Sequence, residues 1–141
     1  RPKCQVKIKF FFLVKNVMLM PGKFPSTNSR SMLKEALDRM TNLKIGICCV
    51  VDNGQLSGII TDGDLRRKLL EVQKPISSLL VDDVILHAIK NPISISINET
   101  IDNAVRIMES NLIWDLPVVD EKNKLHGLLH LHPVVKKLLA I

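Results

Sequence analysis

With 141 residues, 46% of them apolar and 24% charged, the chain is long enough to bury a core and too apolar to stay disordered. A net charge of +6 permits phosphate binding, but Lys and Arg are spread evenly and aromatics make up only 4%. Solvated basic faces are therefore expected, and a nucleic-acid surface is not. Cys4, Cys48 and Cys49 form no disulfide framework and suit reduced thiols in the cytoplasm. Arg1 to Lys9 lacks the features of a signal peptide, and the apolar run from Phe10 to Val14 is too short to span a membrane. Because the chain opens on Arg rather than Met, it is expected to be a fragment of a larger protein.

Taken in order, Phe10 to Met18 reads as a short apolar docking segment, broken by Pro21, Gly22 and Pro25, and Ser26 to Ser31 is polar. Leu33, Ala36, Leu37 and Met40 fall on one face of a helix. Ile45 to Val51 predicts an apolar strand, Asp52-Asn53-Gly54 a tight hairpin turn, and Gln55 to Ile60 the returning strand. A helix follows to about Val72, and Pro75 closes the unit. The order then recurs: a strand at Ile93 to Ile97, and a helix capped by Thr100 that carries Ile101, Ala104, Val105 and Met108. After it come a strand at Ile113 to Val119, a turn at Asp120 to Lys124, a strand at Leu125 to Leu129 and a helix at Val134 to Leu139. Asp82 and Asp83 read as helix-start charges.

The repeat is close to residue for residue. Met40 answers to Met108 and Asp52 to Asp120; one extra turn residue then sets Gly58 against Gly127 and Thr61 against His130. A period of this length describes a whole small subdomain, marginal alone.

The stretch Gly58-Ile59-Ile60-Thr61-Asp62-Gly63-Asp64-Leu65-Arg66-Arg67 is the end of a buried strand turning directly into a helix. Thr61 and Asp64 have the spacing of a capping box, in which a hydroxyl takes one orphan N–H and a carboxylate reaches back for another. The same groups surround the positive end of a helix, where polyols and phosphates bind. A cap alone and a ligand site are both compatible with this pattern.

This duplicated plan, with Gly-Ile-Ile-Thr-x-x-Asp closing the first half and Leu116-Pro117-Val118-Val119-Asp120 in the second, resembles a tandem pair of CBS domains, the Bateman module, over about residues 14–139. The resemblance implies an α/β (α+β) fold of two tandem CBS subdomains, each β-α-β-β-α, packed through their sheets with pseudo-two-fold symmetry. It divides the chain into the tail of a missing N-terminal domain (1–13), a first CBS domain (14–76) and a second (77–141). The longer string Thr61 to Arg67, with Gly127-Leu128-Leu129-His130-Leu131-His132-Pro133, is similar to the CBS pairs appended to bacterial D-arabinose-5-phosphate isomerases of Kdo and capsule biosynthesis. A similar string occurs in CBS pairs joined to sugar nucleotidyltransferases. The implied role is regulatory: a cytoplasmic, non-catalytic module that binds a nucleotide or nucleotide-sugar, forms a homodimer through its CBS pairs, and serves an N-terminal sugar-isomerase domain. An oligomerisation module without ligand is the alternative. No cofactor is required; AMP, ATP or a CMP-type nucleotide is the expected ligand. No catalytic set is legible, and neither nucleic acid nor membrane is an expected partner.

By the same resemblance, Thr61 and Asp64 hold ribose hydroxyls and phosphate, with Arg66 or Arg67 as charge partners and Ile45 and Gly46 at the strand start. In the second half Pro133 replaces the acid, so the ribose-chelating carboxylate is absent there and the site is expected to be one-sided. His130 and His132 are too few to hold a metal and read as surface or phosphate-contacting groups. Trp114, at the position of Gly46, either stacks on a base or packs as a half-buried core residue.

Overall fold

The computed structural model describes residues 13–131, so Cys4, His132, Pro133 and the helix expected at Val134 to Leu139 lie outside the described residues. Two three-stranded sheets are built to one plan. In the first, β1 (Ser26–Thr27) runs parallel to β2 (Ile47–Asp52), which turns back antiparallel into β3 (Gln55–Thr61). In the second, β4 (Ile95–Ser96) runs parallel to β5 (Asp115–Val119), and β6 (Leu125–His130) returns antiparallel. The helices are α1 (Val14–Val17), α2 (Leu33–Leu43), α3 (Asp62–Glu71), α4 (Ile76–Leu80) and α5 (Ile101–Asn111), with one 3-10 turn at Val84–Leu86. The class is mixed α/β.

Each core is a helix laid on a sheet. Leu33, Ala36 and Met40 of α2 pack on Cys48, Val50 and Ile60. Ile101, Ala104, Val105 and Met108 of α5 pack on Leu116, Val118 and Leu129. Both helices end on a left-handed residue, Lys44 (φ 56°) and Leu112 (φ 54°). The next amide can then reach back, Ile45 N–H to the Met40 carbonyl (3.1 Å) and Ile113 N–H to Met108 (3.0 Å). This is why β2 and β5 begin at Ile47 and Asp115, two residues later than the apolar pattern predicts. The hairpin at Asn53 (φ 51°) and Gly54 (φ 80°) matches the expectation from Asn-Gly. The strand expected over Ile93 to Ile97 shortens to Ile95–Ser96, because the Glu99 amide turns back onto the Ser96 carbonyl (3.0 Å).

Periodicity gave no sign of how each repeat is completed. By packing, Gly22–Pro92 forms one unit, and the described residues up to Pro21 join those from Ile93 onward in a second, discontinuous one. The chain past Pro75 therefore stays with the first repeat. Leu33 N–H bonds the Asp82 carbonyl (2.9 Å), Val84 N–H bonds Ser31 (2.8 Å), and Ile59 and Ile89 exchange two hydrogen bonds (3.0 and 2.7 Å). In the discontinuous unit Val14 N–H bonds Glu99 (2.9 Å), and Leu19 and Leu128 exchange two bonds (2.8 and 3.0 Å). Val14 is fully buried in the core around α5. The glycines at equivalent positions explain the close approach: a Cβ on Gly58 would stand 2.7 Å from the Ile89 carbonyl oxygen, and one on Gly127 2.6 Å from that of Leu19.

Candidate functional site

Strand β3 ends on the apolar pair Ile59-Ile60 and then delivers Thr61 to the N-cap of α3 with extended backbone (φ −121°, ψ 163°). The Thr61 hydroxyl accepts from the Asp64 amide (3.1 Å) and donates to Asp64 Oδ2 (2.8 Å), which also accepts from the Thr61 amide (3.2 Å). Arg67, one turn further on, pairs with the other carboxylate oxygen. Asp64 is 8% exposed, so its charge is held by hydrogen bonds rather than by water. The sequence pattern thus predicts this box correctly, and of the two arginines it is Arg67 that engages, while Arg66 is exposed and makes none of these contacts.

Asp62, next to the cap, stands over the start of β2. Its amide donates to the Gly46 carbonyl (3.1 Å), and a Cβ on Gly46 would come within 2.6 Å of its carboxylate. Glycine lets that carboxylate lie close over the strand. Ile45, Gly46 and Asp62 line a cleft of about 390 Å³ with Leu37, Met40, Thr41 and Lys44 from the end of α2. Leu37, Met40 and Ile45 give it apolar wall, and Thr41, Lys44 and Asp62 bring a hydroxyl, an ammonium and a carboxylate. That size lies within the range of small-molecule sites.

The second repeat builds the equivalent turn differently. The Leu131 amide bonds the Trp114 carbonyl (3.0 Å) as Asp62 bonds Gly46, but an apolar residue, Leu131, takes the place of Asp62, and Trp114 is 40% exposed. His130, in the place of Thr61, has Nδ1 2.5 Å from Oδ1 of Asp115 on the adjacent strand. Burial pushes the Asp115 carboxyl up, and the hydrogen bond with His130 opposes that rise. Asp115 escaped the sequence reading, although a charge inside Ile113 to Val119, where the first repeat has Ile47, is a visible signal. A carboxylate is thus present beside His130, supplied across the strands. His132 lies outside the described residues.

Asp82 and Asp83 do stand at a helix start, Asp83 being the N-cap of the 3-10 turn Val84–Leu86, but neither side chain caps it. Asp82 Oδ2 takes both Lys74 Nζ and His87 Nε2 at 2.8 Å, which hold its carboxyl below the usual range, while Asp83 makes no side-chain cap bond. Asp52 and Asp120, equivalent in the repeat, each tie down a turn. Asp52 accepts from the Ser29 amide (3.0 Å), the Ser29 hydroxyl and Ser57 (2.6 Å). Asp120 takes His126 (2.8 Å) and the amides of Lys122 (2.8 Å) and Lys124 (3.0 Å), which lower its pKa to about 2. Among the described residues no helix is long and apolar enough to cross a membrane.

A family model for the CBS domain matches residues 14–71 and again 81–139. The chain belongs to the CBS domain family. Of solved structures, the CBS pair is similar to CBSX2 in complex with AMP, a protein also solved from Arabidopsis thaliana (25% identity, TM-score 0.76, covering 92% of this chain and 97% of that one). It shares its fold with a CBS domain-containing protein of Bacillus anthracis (17% identity, TM-score 0.78, 96% and 97% covered). Among curated relatives it is similar to the arabinose 5-phosphate isomerase KdsD of Francisella tularensis (31% identity over 91% of this chain and 38% of the relative). It is also similar to inosine-5'-monophosphate dehydrogenase of Aquifex aeolicus (36% identity over 74% of this chain and 20% of that one). The chain spans about two fifths of the length of the first of these relatives.

Proposed function

We propose that this CBS pair senses a nucleotide or nucleotide-sugar at the Thr61–Asp64 turn and regulates an arabinose-5-phosphate isomerase to which it is joined. The observation that carries the reading is the preformed box. A buried carboxylate, a hydroxyl and a guanidinium converge at the start of α3, beside the cleft over Gly46. A carboxylate so placed can accept two vicinal ribose hydroxyls, and Arg67 can turn from Asp64 to a phosphate. The cleft beside it suits a base in size, with Ile45 and Gly46 at the strand start. Taken by itself, the second repeat offers His130, with Asp115 behind it, as a phosphate contact near Trp114.

AMP bound to CBSX2 supports the ligand class, and the KdsD match supports the isomerase as host. Because that match covers under half of the relative, the host rests on the resemblance of the Thr61 to Arg67 string as well. A CMP-linked product of the pathway is the effector this reading favours, and the cytoplasm is where such an enzyme meets it.

Calorimetry with AMP, ATP, CMP and CMP-Kdo tests the proposal. At least one should bind at or below millimolar concentration, and Asp64→Asn should weaken it about tenfold or more with the fold retained. Silence from all four nucleotides would sink the reading.

A second reading, assembly of the host without a ligand, has its own observation. Leu69 (47% exposed), Leu70 (83%) and Ile76 (60%) leave apolar surface at the end of α3 and the start of α4. Removing the pair from a full-length isomerase separates the two. Lost assembly with unchanged kinetics supports oligomerisation alone, and lost nucleotide response supports sensing.

A further inference from the structure

Of the two acids that open α3, the capping box absorbs only Asp64. That residue is buried, and its two carboxylate oxygens are engaged by Thr61 and Arg67. Asp62 is exposed, and its carboxylate takes no hydrogen bond or ion pair among the described residues. Its backbone is nonetheless anchored. The Asp62 amide donates to the Gly46 carbonyl (3.1 Å), and Oδ2 lies 2.6 Å from where a Cβ on Gly46 would stand. The acid therefore lies over the start of β2, in the wall of the cleft that Ile45 and Gly46 share with the end of α2.

A solvated carboxylate only accepts hydrogen bonds. The other polar side chains of the cleft, Thr41 and Lys44, both bring donors. A flat ring entering the cleft thus meets an acceptor on one side and donors on another. The edge that answers this pattern carries an amine next to a bare ring nitrogen, as adenine and cytosine do. A ring carbonyl in place of the amine would set acceptor against acceptor, and the carboxylate would lose water without gaining a bond.

We propose that Asp62 selects the base. Within the nucleotide reading of the Thr61 turn, on which this rests, its carboxylate accepts from the exocyclic amine of adenine or cytosine and disfavours bases with a carbonyl at that position. Asp64 and Asp62 then divide the ligand, the first holding the sugar and the second reading the base.

Calorimetry of the full chain with two matched pairs, AMP against IMP and CMP against UMP, tests the proposal, because sugar and phosphate are the same within each pair. In whichever pair binds, the amino member should bind about tenfold tighter. Purine riboside 5′-monophosphate, which is AMP without its amine, should lose about as much as IMP. Asp62→Ala leaves Thr61, Asp64 and Arg67 in place and should bring AMP and purine riboside 5′-monophosphate to equal affinity, with thermal unfolding as the check on the fold. Asp62→Asn, whose amide both accepts and donates, should narrow the gap between AMP and IMP. Equal binding of amino and carbonyl members by the parent chain, or a gap that persists in Asp62→Ala, would overturn the role of Asp62 and leave the nucleotide reading standing. Silence from all five nucleotides would overturn both.

Discussion

At the end of β3 a hydroxyl and a carboxylate three residues apart close around the first amides of α3; at the matching end of β6 an imidazole takes its carboxylate from the neighbouring strand. Both repeats therefore keep an acid beside the turn, but by different routes. The local route ties the acid to the helix start, so the acid and the helix share one set of hydrogen bonds. The cross-strand route places Asp115 at the position of the buried Ile47 and burdens the second repeat with a desolvated carboxyl. A motif can thus be lost along the chain and its charge kept in space.

The comparison is broken most severely by truncation. A chain beginning at Gly22 loses Val14 from the core around α5 and the Leu19 pairing on β6. Hydrogen exchange should show α5 and β6 unprotected, a local loss of about 3 kcal/mol or more, while β2 and β3 stay protected. Gly58→Ala and Gly127→Ala make the matched pair at smaller scale. Each should cost about 1–3 kcal/mol in urea unfolding, the first releasing Ile89 and the second Leu19. Thr61→Ala and Thr100→Ala, which remove the side-chain caps of α3 and α5, should each cost about 1 kcal/mol, and only the first should touch nucleotide binding. The double change Asp115→Ile with His130→Thr rewrites the second turn with first-repeat residues and should leave thermal stability no lower than the parent's.

The smallest effects lie in pH. Asp120 has a pKa of about 2 against an ordinary 3.8. Its contribution is complete above 3.8 and is lost as pH falls toward 2, so Asp120→Asn should flatten that limb of the unfolding profile. Asp115 is shifted the other way. Its share of stability grows as pH falls through its raised value toward 3.8, and Asp115→Asn should remove that gain.

The capping box was legible because both of its residues lie within one turn of helix, where spacing alone dictates contact. So were the two hairpins and the apolar faces of α2 and α5. The Asp115–His130 pair was not, since its members lie on different strands and only the register Asp115 opposite His130 joins them. Nor were the straps: Leu19 and Ile89 look like ordinary apolar residues, and nothing in their periodicity says which β-strand they will meet. The exchange of Ile45 and Ile113 from strand to helix end is subtler, for it depends on Lys44 and Leu112 adopting a backbone conformation their side chains disfavour.

The route of the chain through Val14 and Leu19 has a mechanical side. Tension applied ahead of Leu13 does not load the repeat that follows in sequence; it pulls first on Glu99 and on Leu128 of β6. Anything joined upstream is therefore geared to the second repeat, and the turn at His130 lies at the end of the strand that bears the pull.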